Sequence, residues 1–273
     1  MKIGFFDSGL GGLTILKSVA RELSEYEYVY YGDTANLPYG DKTEEEIYRL
    51  TVEGVRYLYR NDCVLVIIAC NTASAETVRR LQVELLPTEY PDRKLLGVIV
   101  PTIELLEFSQ PTKVALLATK RTIESKKYPR ELDSKGNGNV ILIEVSTPEL
   151  VPLIEAGNND EATRRAISRI EAEAGDSEVV VLGCTHYTQI SYSLREYFRE
   201  TKVIIAQDEV IPKKLESYLF NHPEITSRLT RGEERKIYLT KHRPDYDRLI
   251  GQFLGGVYLD KETEIGRDLN SLM

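Results

Sequence analysis

The chain has 273 residues, 42% hydrophobic and 29% charged, which is too apolar for a disordered polymer and leaves room for about two domains. Its formal charge of −8 argues against a nucleic-acid partner or an anionic membrane surface, since phosphates need clustered Lys and Arg. No apolar stretch reaches the roughly 20 residues that span a bilayer, and three cysteines, an odd number, fit a reducing cytoplasm better than a disulfide scaffold.

The opening MKIGFFDSGLGG reads as a first strand, Ile3–Phe6, and not as a signal peptide. It runs into the glycine-rich turn DSGLGGLT (7–14). A strand, a glycine turn and a helix N-terminus offer free backbone N–H groups to an anion. Thr14 stands where the dinucleotide fingerprint needs a third glycine, and no Lys-Ser or Lys-Thr follows as in a P-loop. The expected ligand is a small anion such as a carboxylate, with a plain tight turn as the competing reading.

Further strands are predicted at Tyr28–Tyr31, Val64–Ala69, Leu95–Val100, Val114–Ala118, Val140–Glu144, Val179–Leu182 and Val203–Ala206, with a late one at Lys236–Leu239. Thr43 and Glu46 form a capping box that opens a helix through about Tyr59. Other helices are expected after Ala73, Arg121, Asp160, Tyr187 and Val210. Most strands are apolar without alternation, as in parallel strands buried on both faces. The repeating strand–helix order reads as α/β, and ligands of such folds collect beyond the C-terminal ends of the strands.

Two strand ends match. VLVIIACNTAS (64–74) and VVVLGCTHYT (179–188) each pass from branched apolar residues through a small residue to Cys and a polar pair. Upstream, KIGFFDS (2–8) resembles KVALLAT (113–119), and Ser8 to Cys70 is nearly as long as Thr119 to Cys184. The pattern predicts two similar domains related by pseudo-duplication, each a mostly parallel sheet flanked by helices and each bringing one cysteine to a strand end. The expected division is 1–96 plus 208–273 for the first domain and 97–207 for the second.

Cys184 and His186 are soft enough for zinc, yet there is no C-x₂-C, and His222 and His242 sit in polar segments. No metal is expected. Lack of C-x-x-C also disfavours thiol redox chemistry. Burial as small hydrophobes is the competing reading for the thiols. It suits Cys63, which has no polar company. At Cys70 and Cys184 it would make Asn71-Thr72 and Thr185-His186 incidental helix caps, without accounting for their repetition. Two thiols facing one pocket from opposite halves suit inversion of an sp³ carbon, where one base removes a proton and an acid returns another to the opposite face. A thiol pKa of about 8.5 allows either role, and Asp7 and His186 are placed to move or orient protons.

DSGLGGLT, YYGDTANLPYG, IIACNTAS, VPLIEAG and LGCTHYT, in this order and spacing, resemble the cofactor-independent Asp/Glu racemase superfamily, and within it the glutamate racemases. The resemblance runs from Lys2 to about Tyr187. It implies two α/β domains of similar fold with the active site in the cleft between them, and interconversion of L- and D-glutamate without pyridoxal phosphate or other cofactor, supplying D-glutamate for peptidoglycan. It implies that Cys70 acts on the D-enantiomer with Asp7 assisting, and Cys184 on the L-enantiomer with His186 assisting and Glu155 nearby. Substrate contacts would come from Asp7, Ser8, Tyr39, Gly40, Asn71, Thr72, Thr185 and His186, with Thr119 and Thr122 as the second half's share of the carboxylate site. Such enzymes are cytoplasmic and commonly homodimeric. The chain departs from the pattern at Thr188, where Pro is usual, at Thr147-Pro148-Glu149-Leu150 ahead of VPLIEAG, and at Gln207-Asp208, where Asp-Ser or Ser-Gly is usual. Aspartate racemisation is the nearest alternative, since one methylene gives only ~1–3 kcal/mol of discrimination. A two-lobed binding module without catalysis is the alternative of another class.

Overall fold

The computed structural model describes residues 1–255 and the strand 263–266. Its strands are β1 Lys2–Asp7, β2 Tyr28–Gly32, β3 Cys63–Ile68, β4 Lys94–Gly97, β5 Thr112–Ala118, β6 Val140–Ser146, β7 Val179–Gly183, β8 Val203–Ala206, β9 Arg235–Leu239 and β10 Thr263–Gly266. They form two sheets, with orders β10-β9-β2-β1-β3-β4 and β6-β5-β7-β8. Every pairing within them is parallel.

Burial on both faces explains the unbroken apolar runs. In β1, Ile3 and Phe5 join the core on one side of the sheet while Phe6 joins the core on the other. In β3, Leu65 and Ile67 go one way and Val66 and Ile68 the other. Successive side chains point to opposite faces, and here helices cover both.

Helices α1 Leu13–Glu22, α2 Glu44–Arg60 and α3 Asn71–Arg80 follow β1, β2 and β3. The Thr43–Glu46 capping box forms as expected. Helix α3 continues through a π-helical stretch, Leu81–Leu85, into the short α4 Leu86–Glu89. In the second half come α5 Ile99–Ile103, α6 Lys120–Glu124, α7 Lys127–Ser134, α8 Leu150–Glu155, α9 Asn159–Ala174 and α10 Ser191–Phe198. After β8 follow α11 Gln207–Asn221, α12 Pro223–Thr226 and α13 Tyr246–Leu254. Helix α11 packs on α1, and β9 lies beside β2, so the late segment returns to the first sheet.

Three expectations need correction. The strand predicted over Leu95–Val100 ends at Gly97, and Ile99 begins α5. Val98, Ile99 and Ile103 are buried there, and branched apolar residues suit a buried helix turn as well as a strand. The helix after Arg121 breaks at Lys126, whose φ of 53° is left-handed. The helix expected directly after Tyr187 begins at Ser191, because Thr185–Ile190 forms 3₁₀ turns.

Candidate active site

The C-terminal end of β1 carries Asp7 and Ser8, and the adjacent end of β3 carries Cys70. Ser8 Oγ lies 3.3 Å from Cys70 Sγ, and the Ala73 N–H donates to the same sulfur at 3.4 Å. Cys70 therefore caps α3. Burial pushes its thiol pKa up to about 12, and the Asp7 charge adds to this against the Ser8 and Ala73 donors. At neutral pH Cys70 is a protonated thiol.

Asp7 is fully buried. Its Oδ1 accepts from the Gly9 N–H at 2.8 Å, while Oδ2 has no hydrogen-bond partner. Burial raises its pKa, opposed by the charge of His186 and by the Gly9 and Gly12 N–H groups. The glycine turn expected to cradle an external carboxylate thus serves its own Asp7 first. Its glycines are required for close approach: a β-carbon on Gly12 would fall 2.9 Å from Asp7 Cβ.

The second thiol sits at the end of β7. Cys184 Sγ is 3.9 Å from His186 Nδ1, and His186 Nε2 is 3.1 Å from Glu155 Oε1 at the end of α8. Burial works against a charged imidazole, but Cys184 and Glu155 outweigh it and raise the His186 pKa to about 10. Glu155 is held below its ordinary range by His186 and Arg243 in spite of burial. The two thiols are near enough that a charge on Cys184 raises the Cys70 pKa. Each is 7% exposed.

Hydroxyl groups bridge the two sheets beside the thiols. Thr72 Oγ1 lies 3.0 Å from Thr119 Oγ1 and 3.3 Å from Thr122 Oγ1, and the latter two are 2.9 Å apart. Gly40 faces this cluster, with Thr119 Cβ 4.0 Å from where its own β-carbon would be. Tyr39 is held by donating to Asp33 Oδ2 at 2.7 Å. Thr185 receives the Thr14 hydroxyl on its carbonyl at 3.4 Å. The side chain of Asn71 is engaged by Gln207 and Tyr128. Its backbone N–H, at the first turn of α3, is what it can offer a ligand.

Thr188 has a local explanation. Its hydroxyl donates to the Thr185 carbonyl at 2.9 Å, closing a turn just after the thiol motif. Sequence reasoning missed Phe253, whose ring meets His186 edge-on at 5.7 Å, and Arg248, which donates to the Glu155 carbonyl at 3.1 Å. Both come from α13, far along the chain, and neither belongs to a motif. His222 pairs with Glu224 and His242 with Asp247. Among the described residues no group of three or more His, Cys, Asp or Glu is arranged to hold a metal.

A cavity of about 1220 Å³ lies away from these groups, between β4, β8, α5 and α11. None of the expected site residues lines it. The thiol site is recognised by its converging side chains, which are nearly closed from solvent.

The Asp/Glu/hydantoin racemase family model matches residues 11–226. The glutamate racemase of Paracoccus denitrificans is 35% identical over 260 residues, covering 87% of this chain and 94% of that protein. That of Dinoroseobacter shibae is 37% identical over 242 residues, 82% and 86% of the two chains. Among solved structures, a glutamate racemase isoform of Bacillus anthracis superposes with a TM-score of 0.83 at 25% identity, covering 98% and 97%. The Francisella tularensis glutamate racemase, solved in complex with D-glutamate, gives 0.79 at 26% identity, covering 97% and 96%. A strand-end thiol with polar neighbours in each of two parallel sheets, and similarity along nearly the whole chain, lead to one assignment: the chain belongs to the Asp/Glu/hydantoin racemase family.

Proposed function

We propose that the chain interconverts L- and D-glutamate by proton exchange at Cα, using two thiols and no cofactor. The observation that carries this is the placement of Cys70 and Cys184 at equivalent strand ends, within electrostatic reach of each other and each beside a separate proton-handling group. His186, charged at neutral pH, faces the Cys184 sulfur at 3.9 Å, and Cys184 removes the Cα proton of L-glutamate. The protonated Cys70 thiol delivers a proton to the opposite face of the planar carbanion, and D-glutamate forms. In the reverse direction Cys70 must first lose its proton, and the buried Asp7 carboxylate, its Oδ2 without a partner, is the base at hand. Glu155 holds His186 in its charged form.

The substrate carboxylates are met by the Thr72, Thr119, Thr122 and Thr185 hydroxyls together with Ser8, and by the backbone around Tyr39, Gly40 and Asn71. Asp7 and His186 contact the substrate as well as the thiols. We place the domain division at 1–96 plus 208–273 and 97–207, which sheet membership and the return of β9 to β2 support. D-glutamate made this way supplies peptidoglycan synthesis in the cytoplasm, and the working form is a homodimer. No helix among the described residues is long and apolar enough to cross a membrane.

The test is incubation of the protein with L-glutamate in D₂O without cofactor, following optical rotation and deuterium at Cα, with L-aspartate in parallel. Racemisation of glutamate with solvent deuterium in the product supports the proposal. Inert glutamate refutes it, and faster turnover of aspartate would reassign the substrate.

A further inference from the structure

Gln207 opens α11 and is fully buried. Its amide is engaged on both sides. Oε1 accepts from Asn71 Nδ2 at 2.6 Å, and Nε2 donates back to Asn71 Oδ1 at 3.0 Å. Nε2 also faces Thr102 Oγ1 at 3.2 Å and the Val98 carbonyl at 3.4 Å. A backbone carbonyl can only accept, so Val98 sets the orientation of the Gln207 amide, and Gln207 in turn sets that of Asn71. Asn71 Oδ1 is completed by the Tyr128 hydroxyl from α7, at 3.1 Å.

The network joins distant parts of the chain. Asn71 is the residue after Cys70 and the first of α3, whose opening turn also holds the Cys70 sulfur through Ala73. Val98 and Thr102 belong to the segment that leaves the first sheet after β4. Gln207 follows directly on β8 of the second sheet. An apolar residue at 207 would leave the Asn71 amide and the Val98 carbonyl buried without this partner. A carboxylate would present acceptors to Asn71 Oδ1 and Val98.

We propose that Gln207 is a positioning residue for Cys70. It clamps Asn71, and with it the turn carrying the thiol, to the segment where the chain crosses between its two sheets. The inference rests on the two-thiol reading of the site and extends it to a residue that touches neither thiol nor substrate.

Steady-state rates alone cannot test this. L- and D-glutamate are mirror images of equal free energy, so kcat/KM must remain equal in the two directions for every variant. Isotope effects separate the thiols. In Gln207→Leu, kcat/KM falls about tenfold to hundredfold, the range expected when a reacting group is misplaced by about 1 Å. The primary deuterium effect with Cα-deuterated D-glutamate rises above wild type, while that with Cα-deuterated L-glutamate falls. Thr102→Val, equal in volume, removes one of the bonds made by Nε2 and shifts the two effects the same way, so the outcome does not depend on Gln207→Leu folding. Alkylation by iodoacetamide, read by peptide mass, gives a higher ratio of Cys70 to Cys184 modification in both variants. Unchanged isotope effects with an unchanged alkylation ratio overturn the proposal. A wild-type protein inert on glutamate whose variants still shift the ratio overturns the racemase reading and leaves the clamp standing.

Discussion

Gly11 lies so close to His186 that a β-carbon on it would fall 2.6 Å from the ring Nδ1, and 2.4 Å from Thr185 Oγ1. The glycine turn after β1 is thus the surface against which the second thiol's partner is set. Nδ1 is the nitrogen that faces Cys184 Sγ at 3.9 Å. In Gly11→Ala the imidazole must shift, and we expect a folded protein destabilised by about 1–3 kcal/mol. Turnover should fall about a hundredfold. Polarimetry paired with thermal denaturation checks both, and wild-type turnover in this variant would mean that the ring position is not critical.

The His186–Glu155 pair makes a pH prediction with a definite sign. The folded pKa of His186 is about 10, above its ordinary 6.5. The stability it contributes is complete below 6.5 and is lost as pH rises through about 10. Glu155 is shifted down, so its contribution is present above its ordinary value and is lost as pH falls through the lower folded one. Glu155→Gln should therefore melt below wild type near neutral pH, and the gap should narrow above about pH 10. Proton NMR of the ring should show His186 titrating at lower pH in the variant. An unmoved titration would show that Glu155 does not hold the charge.

Asp33 supports the Tyr39-Gly40 segment, which the proposed function places at the substrate. Its buried carboxylate accepts from Tyr39, from Asn36 and from Thr240, at 2.7, 2.8 and 2.9 Å. Asp33→Ala strands these donors at a cost of about 1–3 kcal/mol, and releases the Tyr39-Gly40 segment. KM should rise more than kcat falls, with Tyr39→Phe a milder version of the same change. Steady-state kinetics in both directions measure it, and a fall in kcat alone would place the effect in chemistry rather than binding.

Cys63 is the control for the two reactive thiols. It is fully buried at the start of β3, and burial raises its pKa to about 12. Cys63→Ala should cost about 1 kcal/mol of stability and keep its turnover, while Cys70→Ala and Cys184→Ala each lose racemisation. Were Cys63→Ala the inactive variant, the assignment of the thiols would be wrong.

The strands and thiol motifs could be read in the sequence because parallel strands buried on both faces leave unbroken apolar runs, and β3 and β7 end in recognisable small and polar residues. The duplicated pattern also put Cys70 and Cys184 at the ends of their strands. Other features had no such signature. The run through Val100 is β-branched and apolar, and its helical fate depends on packing against α7 and α11. Gln207 was visible only as a departure from the family pattern, while Tyr128 and Phe253 are single residues whose partners lie far away in the chain. The Asn71 amide is turned toward Gln207 by a hydrogen-bond network that only the assembled fold brings together.

The two sheets repeat one strand order, β2-β1-β3-β4 and β6-β5-β7-β8, with β9 and β10 added outside β2. Either four-stranded unit facing a copy of itself would offer identical residues to both sides of a bound molecule. That symmetry suits mirror-image substrates, but it ties both sides to a single solution. Carrying the two units in one chain frees them to diverge. One side has a thiol with a hydroxyl and a carboxylate, and the other a thiol with an imidazole. In the proposed reaction two enantiomers of equal energy meet two chemically different faces, and each face can be altered without forcing the same change on the other.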